Sequence, residues 1–225
     1  MRSPDLPKPK KMGFIEQHRR DQIIDALITN VAQQGYDGAS FANVALGAGI
    51  NKGVVLYHFK DKSQMVEAAV ACILRRLASS VEPLISCEPT ATGKLKAYIR
   101  GELSYIERNR DDILALSSLL NGHRNPHGAL YLRSRTEESY IASVEAILEQ
   151  GQQSGEFRAF DRRSMAIVLM NAVNGAIAQW TLASHFPLAA YATEVATIFD
   201  LATRSAGTNG DASASPIPFS VESPT

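Results

Sequence analysis

The sequence predicts an all-α protein with a small N-terminal head on a larger helical body. Three observations predict it. Apolar residues recur at helical spacing through most of the chain between Glu16 and Thr203. No run alternates with the period of two that a half-buried strand needs. Glycine and proline clusters fall between the periodic segments rather than inside them.

The elements follow in order. Residues 1–15 read as a disordered basic arm, whose Lys8, Lys10 and Lys11 can stay solvated or reach a DNA groove. From Glu16 to Gln34, Ile24, Leu27, Ile28 and Val31 make one apolar stripe, closed by Gly35. A second helix starts after Ser40, a favourable N-cap, and carries Phe41, Val44, Ala45 and Ala48. After Gly49, Asn51 caps a third short helix from Lys52 to about Phe59. Asp61, with Gln64 three places on, opens a fourth over 62–80 in a capping-box pattern. Pro89–Gly93 reads as a loop. Five long helices are then predicted at about Lys94–Arg108, Asp111–Asn121, Gly128–Gln153, Arg162–Ser184 and Leu188–Thr203. Residues 206–225, small, polar and proline-containing, read as a disordered tail. The domain division expected is 16–62 for the head, 62–80 as link and 81–205 for the body.

Composition narrows the class. The chain has 225 residues, 45% hydrophobic and 20% charged, the balance of a globular protein with a core, and its formal net charge is zero. The charge is unevenly placed. Residues 1–62 hold nine Lys/Arg against six Asp/Glu, and the remainder fourteen against seventeen. A mildly basic front suits a DNA-facing head. Cys72 and Cys87 lie in or just after an apolar stretch and read as buried structural thiols, with no disulfide framework. The basic N-terminus lacks a following apolar run, so a cytoplasmic location is expected.

Ser40–Phe59 carries the functional signal. Two short helices joined by a tight turn at Gly49 form a helix-turn-helix. Val44, Ala45, Ile50, Val55 and Phe59 can pack inward, which leaves Lys52, Gly53, Val54, Leu56, Tyr57 and His58 outside. A helix entering the major groove presents its N-terminal residues to base edges. Lys52 can donate to a guanine edge or a phosphate, Gly53 permits close backbone approach, and Val54 can touch a thymine methyl. Tyr57, His58 and Lys62 suit phosphate contacts, which set register. With the capping residues Ser40 and Asn51, these are the DNA-binding candidates.

The stretch from Arg19 through Val70 resembles the N-terminal domain of the TetR (tetracycline-repressor) family. The resemblance rests on Ala45, Ala48, Gly49, Ile50, Asn51, Gly53, Val55, His58, Phe59 and Lys62, in order and spacing, leading directly into a long helix. Two positions depart from the pattern: Asn51 stands where a Ser is usual, and Leu56 where a Tyr commonly contacts the DNA backbone.

The resemblance implies a C-terminal domain that dimerises and encloses an effector cavity, and a dimer that represses from a palindromic operator. Tyr98, Tyr105, Leu116, Leu120, Tyr140, Met170 and Asn174 are the lining candidates by helix face, and their character points to a largely apolar effector. Ser164–Ser184 carries no charge. Its length invites a membrane-spanning reading, but Asn171, Asn174, Gly175 and Gln179 favour a helix at a subunit interface. The fourth helix is expected to be the lever between body and head. Competing readings are a structural DNA binder without sequence preference and an all-α enzyme. His123 and His127 are four apart, but Pro126 and Gly128 make that segment a loop, and no third ligand follows. No nucleophile elbow, phosphate loop or cofactor motif is present, so neither enzyme nor cofactor is expected.

Overall fold

The computed structural model describes residues 13–183 and 185–205. The expected arm at 1–12, with Lys8, Lys10 and Lys11, and the expected tail at 206–225 lie outside them. Among the described residues the elements are helices α1 (Phe14–Gln34), α2 (Phe41–Gly47), α3 (Lys52–His58), α4 (Lys62–Ser86), α5 (Ala91–Arg108), α6 (Arg110–Gly122), α7 (Tyr131–Gln153), α8 (Arg162–Leu182) and α9 (Leu188–Thr203). A 3-10 turn, Gly35–Gly38, follows α1. The chain is all-α.

The local start signals operate as the sequence predicts. Ser40 Oγ accepts the Asn43 amide at 3.1 Å, and Asn51 Oδ1 accepts the Gly53 amide at 2.8 Å. Asp61 Oδ1 accepts the Gln64 amide at 2.8 Å. Gln64 Oε1 reaches back one residue further than a capping box requires, to the Lys60 amide at 2.8 Å. Gly49 ends the α2 turn with φ of 64°, a left-handed conformation that only glycine adopts cheaply.

Several boundaries differ from expectation. α1 begins at Phe14, inside the expected arm. α4 continues through Pro83 to Ser86, six residues past its expected end. There Val81 and Leu84 pack against α5 at Gly101, where an added Cβ would lie 3.3 Å from Val81 Cγ1 and 3.2 Å from Leu84 Cδ1. That close packing offsets the amide that proline cannot donate. α5 begins at Ala91, within the expected loop, because Thr90 Oγ1 accepts the Gly93 amide at 3.0 Å and the distant Glu156 carboxylate accepts the Ala91 and Thr92 amides, each at 3.0 Å. Cys72 is half-buried, and Cys87, expected to be buried, is exposed on the residue that caps α4.

Two apolar cores form. The first joins Ile23, Leu27 and Val31 of α1 to Val44, Val55 and Phe59 and to Met65, Val66, Ala69 and Ile73 of α4. Ala115 and Leu119 of α6 and Leu132 of α7 complete it, so body residues seal the head. The second is built from α5, α7, α8 and α9, with Val81 reaching it from the far end of α4.

Candidate DNA-reading face and ligand cavity

α3 is held from behind. Val55 and Phe59 are fully buried. The Arg20 guanidinium lies 4.1 Å from the Phe59 ring centroid and donates to the His58 carbonyl at 2.9 Å, which ties the end of α3 to α1. Asn30 of α1, itself buried, donates to the Asn43 carbonyl at 2.8 Å and fixes α2 in the same way. The inward face is therefore rigid, and the outward face is free.

On that outward face Asn51, Lys52, Gly53, Leu56 and Tyr57 are exposed, while Val54 and His58 are half-buried. Lys52, Gly53 and Val54 occupy the first turn together. An added Cβ at Gly53 would meet nothing nearer than the Asn51 Oδ1 cap at 3.4 Å. Nothing within the chain needs glycine there. The Tyr57 and His58 rings stand edge-on, 5.2 Å between centroids. Partial burial holds the His58 imidazole below the usual histidine range, so at neutral pH it is an uncharged hydrogen-bonding group. Ser40 and Asn51 spend their side-chain oxygens on the caps described above.

Lys62, a phosphate-contact candidate, also meets an aromatic ring of its own chain. Its ammonium sits 3.8 Å from the centroid of the Tyr36 ring, and partial burial lowers its pKa. It is committed to a cation–π contact between the start of α4 and the turn after α1. Tyr36 also carries a polar chain into the body. Tyr131 donates to Glu67, so His123 Nε2 donates to the Tyr131 oxygen at 3.3 Å and the Tyr36 hydroxyl donates to His123 Nδ1 at 2.9 Å. His123 is buried in this chain, and its predicted loop place after α6 is observed. A second link runs from Asp25 of α1 through Arg76 of α4 to Asp112 of α6, with Arg76–Asp112 at 3.0 Å.

The body forms a partly open cavity of about 630 Å³ between α4, α5, α6, α7 and α8. Five of the seven lining candidates face it: Leu116, Leu120, Tyr140, Met170 and Asn174. Tyr98 and Tyr105 do not. Tyr98 is buried behind Tyr140, ring centroids 5.6 Å apart. The Tyr105 hydroxyl is turned away and donates to Asp112 Oδ2 at 2.5 Å. Sequence reading missed the charged lining residues Glu102, Arg133 and Glu137. Glu102 sits on the Tyr98/Tyr105 side of α5, where only an apolar stripe was sought.

α8 is long and apolar enough by length and composition to cross a membrane, and 28% of its most apolar window is buried in the chain. Val168 of α8 is 58% exposed and Leu201 of α9 60%. Ile167 and Ile198 add to the exposed apolar surface of the same two helices.

Comparison with known proteins bears on these features. Residues 23–69 match the family described as bacterial regulatory proteins, tetR family. The HTH-type transcriptional regulator BetI of Cronobacter sakazakii is 33% identical over 94 residues, which cover 42% of this chain and 44% of that protein. The chain thus matches less than half the length of that regulator. A fatty acid metabolism regulator protein of Bacillus subtilis is 25% identical over 165 residues, covering 72% of this chain and 82% of the relative. Among solved structures, a Rhodococcus protein assigned to the TetR-family transcriptional regulators superposes with a TM-score of 0.70 at 26% identity, over 83% of this chain and 98% of that one. The Bacillus subtilis regulator FadR, solved with stearoyl-CoA, shares the fold with a TM-score of 0.69 at 21% identity, over 81% and 98% of the two chains.

Proposed function

We propose, from the match of residues 23–69 to the family described as bacterial regulatory proteins, tetR family, that this chain is a repressor that binds a palindromic operator as a homodimer and is released by a small molecule. The observation that carries the reading is the division of labour in α3. Its inner face is locked by Val55, Phe59 and Arg20, while Lys52, Gly53 and Val54 stand together at the end that would enter a major groove.

In this reading Lys52 and Val54 contact base edges and Gly53 lets the backbone close on them. Tyr57 and His58 hold phosphates. Ser40 and Asn51 serve by capping the two helices, and Lys62 by clamping Tyr36 near the backbone-facing end of α4. One short helix reads few base pairs, so a two-fold pair multiplies specificity. The exposed apolar surface of α8 and α9 suits a four-helix contact with a second copy of the chain.

Control by a ligand needs a path from cavity to head. α4 lends Leu74 and Leu77 to the cavity and Met65, Val66 and Ala69 to the head core. α6 does the same with Leu116 and Leu120 on one side and Ala115 and Leu119 on the other. The lever is therefore a pair of helices rather than α4 alone. A ligand that favours one setting of this pair shifts the head spacing and the operator affinity together.

Two lysine variants test the reading of the head. Lys52→Ala should relax base preference at particular operator positions, by about 1–3 kcal/mol of discrimination. Lys62→Ala should weaken all duplexes alike and lower stability by about 0.5–1 kcal/mol, the worth of its aromatic contact. Binding to a panel of single-base operator variants separates the two. Uniform loss with Lys52→Ala would remove it from the reading face.

A further inference from the structure

The cavity is not lined by apolar groups alone. Arg133 and Glu137, both at its lining, are paired with each other at 2.8 Å, and Arg133 also donates to Asn121 Oδ1 at 2.9 Å. Glu102 stands apart from that pair. It is 6% exposed, lines the apolar part of the cavity with Leu77, Ile106, Met170 and Ile177, and makes no ion pair among the described residues. The groups that face it are the Tyr98 and Tyr140 hydroxyls, one on its own helix and one on α7. The Tyr140 hydroxyl is buried and has no hydrogen bond of good geometry, although Glu102 and Tyr98 lie beside it. A carboxyl with no cation beside it among the described residues, and a hydroxyl with only that carboxyl and Tyr98 for neighbours, thus meet at a mostly apolar wall of the chamber. Burying a carboxylate unpaired is costly, and the cost falls when a positive charge arrives with the ligand.

We propose that the cavity takes an organic cation, an apolar chain or ring bearing a protonated amine, whose charge is met by the Glu102 carboxylate and whose N–H is accepted by the Tyr140 hydroxyl. The inference rests on the cavity being the effector site. A ligand whose buried end is a carboxylate is disfavoured, because it would place like charges together in a desolvated wall. The apolar remainder of the lining supplies the rest of the affinity.

Burial raises the Glu102 carboxyl to about 7 when no cation is present. Burial raises the Tyr98 and Tyr140 hydroxyls as well, so both remain neutral near that pH. An ammonium ligand selects the ionised carboxylate, so its binding releases a proton and weakens as the pH falls through about 7.

The test uses the full chain and three probes of one shape: octylamine, octanol and octanoate, titrated by calorimetry. Octylamine should bind at least about tenfold more tightly than octanol at about pH 8, and octanoate more weakly than both. Octylamine affinity should fall about tenfold between about pH 8 and about pH 6, with octanol unaffected. Glu102→Gln should bring the amine and the alcohol to parity and abolish the pH dependence. The wild-type ratio and pH profile stand even if the variant folds poorly. Octanoate binding as tightly as octylamine, or a preference that survives Glu102→Gln, would overturn the inference while leaving the cavity a ligand site. Binding of none of the three would overturn the cavity's effector role as well.

Discussion

Phe59→Ala is expected to cost about 3–5 kcal/mol and to abolish DNA binding. Phe59 is fully buried and closes the first core at the C-terminal end of α3. Its amide ends the helix on the Val55 carbonyl at 2.9 Å, and its ring supports the Arg20 guanidinium on the other side. Truncation removes the ring from between α1, α3 and α4 and leaves a void in a well-packed core. Arg20 then loses the surface that orients it toward the His58 carbonyl. Phe59→Leu keeps most of the volume and should cost about 1.5 kcal/mol or less, with DNA binding retained. Denaturant unfolding followed by helical signal measures both. Because Ala115, Leu119 and Leu132 belong to the same core, the loss should appear in the unfolding of the whole chain. A separate early transition of the head alone would contradict that arrangement.

Gly53→Ala should give the opposite pairing of effects. Glycine inside a helix is less stable than alanine by about 0.5–1 kcal/mol. The added methyl meets only the Asn51 Oδ1 atom at 3.4 Å, an ordinary contact distance. The variant should therefore be as stable as the parent or more so. Its DNA affinity should nevertheless drop about tenfold or more, because the methyl stands where the α3 backbone would close on the duplex. Thermal unfolding and a duplex-binding assay on the same preparation measure the two effects. Unchanged DNA affinity would mean that Gly53 does not face the duplex. By contrast, Gly49 serves the fold: its φ of 64° is a turn requirement, and alanine there should cost about 1–2 kcal/mol.

Legibility in the sequence followed distance along the chain. The caps at Ser40, Asn51 and Asp61 act over two or three residues, and the sequence alone placed them. The buried set Val44, Ala45, Val55 and Phe59 follows from helical period and was equally readable. The start of α5 was not, because Glu156, which satisfies its first amides, lies 65 residues away from Ala91. Helix period also cannot tell a cavity wall from solid core. Leu116 and Leu120 face the cavity, whereas Tyr98 and Tyr105 on the predicted α5 face are spent behind Tyr140 and on Asp112. The aromatic contact of Lys62, a phosphate-contact candidate, was not readable because the Tyr36 ring beneath it belongs to a turn whose path only the fold determines. Glu102 escaped for a related reason. A charged residue within an apolar stripe reads as a solvated edge until the packing of α7 and α8 encloses it.

In the proposed regulator α3 reads sequence in pairs, one helix from each of two copies. The most direct measurement is selection of bound duplexes from a random pool by the full chain, at a salt concentration that suppresses non-specific binding. A paired α3 should enrich one motif with two-fold symmetry, its half-sites spaced to suit two heads. Binding that enriches no motif and simply fades with salt would contradict it, leaving a cationic surface in place of a reading face.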